Sequence, residues 1–155
     1  MKTNKTLIFF GLILPIIFWV PILGYLIYNR DYFTLVYVGL GGMVLRAVCE
    51  IIYFFYKAER PYQKMSITPP HSWMLASPYK QRHDSFPSAH AAVMFYGSFF
   101  LIFAHYYYFG AGAFLAAFLT GYGRVKLYYH YKTDIWAGAA LASIWLIFMA
   151  FVARM

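Results

Sequence analysis

Three short stretches of this sequence carry groups suited to holding and transferring a phosphoryl group. Arg60 precedes Pro61 in AERPY; Ser88 and His90 lie in FPSAH, residues 86–90; Arg124, His130 and Asp134 fall within GRVKLYYHYKTD, residues 123–134. A guanidinium presents a planar, always-charged fork of donors that matches phosphate oxygens. Histidine supplies a nucleophile or a proton carrier near neutral pH. A lone histidine in a polar loop is more often simply solvated, so the weight rests on these groups meeting. Two histidines, a carboxylate and several cations at one place are what metal-free phosphoryl transfer to histidine requires.

The elements that must position them are membrane helices. Hydrophobic residues make up 63% of the 155 positions and charged residues 12%, too few polar groups to cover a soluble domain. The apolar blocks are long enough to cross a bilayer, which takes about 20 residues per helix. They predict an all-α, polytopic transmembrane helix bundle, one domain over 1–155, with about five spans near 7–27, 33–56, 88–109, 113–127 and 135–152. Pro15 and Pro21 are expected to kink the first, and Gly110 with Gly112 to permit the reversal between the third and fourth. Arg46 and Glu50, four apart inside the second, are expected to pair. A polar stretch over 57–87, broken by five prolines, interrupts the apolar pattern. In a zigzag of five spans this stretch, the start of the third span and the segment before the fifth emerge on one side. Free backbone N–H groups at the start of the third span would add to an anion site there.

The net charge of +8 fits flanking charges that set topology and a phosphorylated substrate. Nucleic acid is excluded as a partner, because the basic residues sit in short loops between apolar blocks. Cys49, the single cysteine, lies in an apolar block and reads as a buried, inert thiol. The N-terminus begins like a signal peptide, but the apolar run continues well past Ile17 with no small-residue cleavage site, so a retained helix is expected. Tyrosines at the block ends, such as Tyr106–Tyr108, read as an interfacial belt. His71, His83 and His105 have no motif partner and read as loop or interface residues. Lys80, Arg82 and Asp84 suit an entrance or a solvated loop equally.

In order and spacing the three stretches resemble the signature motifs of the type 2 phosphatidic acid phosphatase family, KxxxxxxRP, PSGH and SRxxxxxHxxxD. That family also includes bacterial undecaprenyl pyrophosphate phosphatases. The resemblance runs from about Tyr53 to Gly138 and departs at Tyr53 for the first lysine, Ala89 for the glycine and Gly123 for the serine. It implies that His130 attacks phosphorus to form a phosphohistidine, that Asp134 orients the imidazole, and that His90 protonates the leaving oxygen and then activates water. It assigns the phosphate oxygens to Arg60, Arg124, Ser88 and Lys57, the last one turn from Arg60 in place of the missing lysine; Arg46 is a deeper candidate for the same task. No metal or cofactor is implied.

The substrate implied is a lipid phosphate within the membrane: undecaprenyl pyrophosphate, or a phospholipid such as phosphatidic acid or phosphatidylglycerol phosphate. Transfer to a second lipid instead of water, or a non-catalytic lipid-binding or transport role, are the rival readings. The resemblance places the site on the extracytoplasmic face of the cell membrane, whereas Lys2 and Lys5 on the same side count for the cytoplasm under the positive-inside rule. The oligomeric state is open.

Overall fold

A backbone in hydrocarbon must satisfy its own polar groups, and long apolar runs do so as helices. A computed structural model of the chain describes residues 5–66 and 84–152, and among them the architecture is all helical apart from one isolated bridge between Ala58 and Asp84. His71, Lys80, Arg82, His83, Lys2 and Arg154 lie outside the described residues. The helices are α1 (Lys5–Ile8), α2 (Leu14–Tyr28), α3 (Tyr32–Phe55), α4 (Pro61–Lys64), α5 (Ala89–Phe103), α6 (Tyr107–Lys126) and α7 (Lys132–Val152). A π-helical segment, Phe9–Ile13, joins α1 to α2.

By length and composition α3 and α7 can each cross a membrane, and the bent pair α1–α2 passes the same test when its two halves are taken together as one span. The first span is bent by 40° at the break between Gly11 and Leu14. The π-helical segment lies at that break, in the turn before Pro15, whose ring crowds the carbonyl four residues back, whereas Pro21 lies inside α2 without ending it. α5, at 15 residues, is shorter than a full crossing. It is apolar all round because it is the central rod: α3, α6 and α7 pack around it, and Phe95, Tyr96, Phe100 and Leu101 are buried there.

The reversal between α5 and α6 does not use Gly110 and Gly112. It falls at Ala104–Tyr106, where His105 takes φ 67°, Tyr106 N–H reaches Leu101 O and His105 N–H reaches Ile102 O. This is a Schellman end, with histidine in the left-handed position. Gly110 lies inside α6 instead, where a side chain would strike the α5 backbone at Ile102 N and Ser98 O. The α2 end repeats the motif with Arg30 at φ 56°, and the α6 end with Tyr128 at φ 60°. Asp31 then caps α3 by accepting from Thr34 N–H, and also accepts from Tyr106 O–H at 2.6 Å, fastening two of these turns together. Burial opposes charge on Asp31, but the hydrogen bonds from Tyr106 and Thr34 outweigh it and hold the carboxyl below its usual range. The same bond, with burial, pushes Tyr106 up to about 12.

Candidate active site

The site assembles at the end of the bundle opposite the Asp31–Tyr106 tie. The Schellman end of α6 turns the chain so that Tyr129 N–H returns to Arg124 O at 3.0 Å, bringing Arg124 and His130 to one end of α6. α7 begins at once, and Asp134 in its first turn lies beside the His130 ring, 3.7 Å from Nδ1. Gly138, one turn further, lets α7 press on the start of α5, since a side chain there would strike Ser88 O and Ala92 N. Ser88 N–H donates to Asp134 O at 2.9 Å across this contact. The segment before α5 pairs with the chain after α3: Ser85 N–H donates to Ala58 O, beside the Ala58–Asp84 bridge. All three sequence motifs therefore meet at one end of the bundle.

His130 is 2% exposed, and its Nδ1 lies 2.8 Å from Ser85 O. A backbone carbonyl only accepts, so Nδ1 carries the hydrogen and the neutral ring keeps its lone pair on Nε2, the nitrogen left for attack. Burial, and then the Arg60 and Arg124 charges, push this imidazole down to about 4, against the opposing pull of Asp134 and the Ser85 carbonyl. Orienting the ring thus falls first to Ser85, whereas the sequence pointed to Asp134 alone. Asp134 is itself held, accepting from Ser85 O–H at 2.6 Å and Tyr131 N–H at 2.8 Å. From there its charge supports an imidazolium as one develops.

The guanidinium groups come next. Arg124 is 6% exposed, and its buried Nε has no hydrogen-bond partner among the described residues. A buried guanidinium with an uncommitted donor is costly unless an anion meets it. Arg60 is held in extended conformation by the proline after it, Gln63 caps its N–H at 2.8 Å, and its Nε donates to Asp84 at 2.7 Å. Asp84 is buried and orients Arg60, a structural role that the sequence left undecided. The charges of Arg124, His130, Arg46 and Arg60 all act on His90, which stays exposed in the first turn of α5. Lys57 is exposed on the turn after α3.

Two expected phosphate contacts change character. Ser88 is fully buried as the N-cap of α5, its hydroxyl oxygen accepting from Ala91 N–H at 3.4 Å. Ala89 N–H goes to Tyr53 O–H at 3.1 Å, and the same hydroxyl donates to Pro87 O at 2.8 Å. Two first-turn donors are therefore committed to the protein, and the expected anion site at this helix start is narrower than the sequence implied. Tyr53, at the position of the motif lysine, is the clamp that fixes the FPSAH segment. Gly123 also has a local reason: α6 crosses the first span there, and a side chain would strike Gly11 N. Ala89 has an ordinary helical conformation and needs no glycine.

A family model for the PAP2 superfamily matches residues 32–154, which covers all three motifs and most of the chain. The chain belongs to the PAP2 superfamily. Its members are generally phosphatases, so a phosphatase-type activity on phosphate esters goes with the fold. No curated protein and no solved structure matches the chain. Among the described residues no group of three or more histidine, cysteine or acidic side chains could hold a metal ion.

Proposed function

We propose that this PAP2 protein is a membrane lipid phosphatase that hydrolyses the phosphomonoester or diphosphate of a lipid through a phosphohistidine on His130. The observation that carries this reading is the buried, neutral His130, its Nδ1–H tied to Ser85 O and its charge environment set by Arg60 and Arg124. His130 Nε2 attacks the terminal phosphorus, a P–N bond forms, and the P–O bond to the lipid breaks. His90 gives the leaving oxygen its proton. His90 then takes a proton from water as that water attacks the phosphohistidine, the P–N bond breaks, and inorganic phosphate departs. Arg60 and Arg124 hold the equatorial oxygens throughout. The lipid candidates are undecaprenyl pyrophosphate and phospholipids such as phosphatidic acid or phosphatidylglycerol phosphate, reached at the extracytoplasmic face of the cell membrane.

Phosphate release by purified protein in detergent with EDTA, over these lipids, tests the proposal. Wild type is expected to release phosphate, and His130→Ala to lose at least 10³-fold, the scale of removing a nucleophile. Equal release by both proteins would sink the reading.

A further inference from the structure

Between α2, α3 and α5 lies a groove of about 560 Å³. Ile16 and Trp19, Gly42 and Met43, and Val93 and Gly97 supply its walls. Its volume is that of a ligand site, about 300–1,000 Å³. Ile16 and Met43 on its rim are 64% and 69% exposed, so it opens sideways between α2 and α3, where the bundle meets hydrocarbon. The ionisable residues among its lining are Arg46 and His90. Both stand at the end nearest the site: His90 is in the first turn of α5, whereas Gly97 lies about 10 Å further along it. A lipid whose terminal phosphate meets Arg60, Arg124 and His130 would lead its leaving oxygen past His90 and its hydrocarbon into this groove.

Arg46 therefore lies on the leaving-group side. An arginine at membrane depth is expensive and calls for a partner. Glu50 supplies one: Arg46 Nε and an NH2 hydrogen both go to Glu50 Oε1, at 3.1 Å and 2.7 Å. The pairing does not hide the side chain, which stays 49% exposed, and the rest of its fork is uncommitted among the described residues. An alcohol leaving group needs a proton, which His90 supplies, and has no use for a second cation. A departing lipid phosphate brings its own negative charge into the apolar groove, and there a guanidinium stabilises it most.

We infer that Arg46 is a specificity-determining residue, which favours lipid diphosphates over lipid monophosphates by holding the phosphate that leaves with the lipid. The inference rests on the phosphatase reading above. His130 attacks the terminal phosphorus, the bond to the bridging oxygen breaks, and the lipid departs as its monophosphate against Arg46. Water then frees inorganic phosphate from His130.

The test compares dioleoylglycerol pyrophosphate with dioleoyl phosphatidic acid, which share one hydrophobic body, as substrates of the full chain in detergent micelles. Wild type is expected to show the larger kcat/KM on the diphosphate. In Arg46→Gln the ratio of the two kcat/KM values should fall at least tenfold, with Arg46→Lys falling between. A ratio that holds, or an equal loss on both lipids, would overturn the inference and leave the phosphatase reading standing. Phosphate release by wild type from neither of these lipids, nor from undecaprenyl pyrophosphate, would instead remove the phosphatase reading itself. Should Arg46→Gln not fold, Glu50→Gln decides: releasing Arg46 from its pair should raise the ratio, and no rise rejects the role.

Discussion

A histidine whose Nδ1–H is tied to a carbonyl has one nitrogen left for chemistry, and burial decides whether that nitrogen is charged. At His130 burial and two nearby guanidinium groups keep it neutral, with the pKa pushed down to about 4. The folded state thus binds fewer protons than the unfolded chain, in which a histidine titrates near 6.5. His130 contributes its full stability above about pH 6.5 and loses it as pH falls towards 4, a loss on the order of 3 kcal/mol. Histidine ring NMR, assigned by difference against His130→Asn, should give a midpoint well below 6; a midpoint near 6.5 would contradict the buried environment. Ser85→Ala keeps the carbonyl but removes the hydroxyl that donates to Asp134. Thermal unfolding in detergent should show a loss of about 1.5–3 kcal/mol, the scale of a hydrogen bond to a charged group. That the His, Arg and Asp side chains of the three stretches meet was legible from their type, spacing and order along the chain. Ser85 and Asp84 were not, because a serine and an aspartate in a polar loop look alike whether solvated or buried, and their burial comes with long-range contacts to Ala58, Arg60 and Asp134. Tyr53 was read as an absent lysine; its clamp on Pro87 and Ala89 depends on α3 lying beside α5. Tyr53→Lys is therefore expected to unfold at lower temperature than wild type, and a gain in stability would contradict the clamp.

At the scale of helices, apolar block length and the Arg46–Glu50 spacing gave elements that the structure contains, while the ends were harder to read. Four helix ends among the described residues place Arg30, Ser66, His105 and Tyr128 at positive φ, where glycine is the usual choice. Sequence reasoning looks for glycine at a reversal and so settled on Gly110 and Gly112, which serve helix packing instead. The left-handed conformation costs a non-glycine residue roughly 1–2 kcal/mol. His105→Gly, on the face away from the site, should raise the melting temperature in detergent by a few degrees, as about 1 kcal/mol does in a domain of this size. A fall would mean that the His105 contact with Tyr107 O–H, at 2.7 Å, outweighs the strain. Gly123→Ser, which restores the family serine, should destabilise because α6 meets Gly11 there.

Across the whole molecule, α3 separates Arg30 from the site by 24 residues, about 36 Å of helix and enough to cross the bilayer. A crossing α3 would set the two ends on opposite faces, so that labelling one locates the other. With the site outside, a cysteine at position 30, in a chain carrying Cys49→Ala, should react with a membrane-impermeant maleimide only after permeabilisation. Reaction in intact cells would place the site in the cytoplasm, as the Lys2 and Lys5 charges argue.

The claim on which mechanism and specificity both depend is covalent: phosphorus bonded to His130. Rapid acid-free quenching during turnover of a terminally ³²P-labelled lipid, followed by mass spectrometry of the peptide spanning residues 127–131, tests it directly. An acid-labile phosphoryl group on His130, absent from His130→Ala, is the expected result. Turnover with no phosphoryl group on that residue, or with one on another, would contradict it.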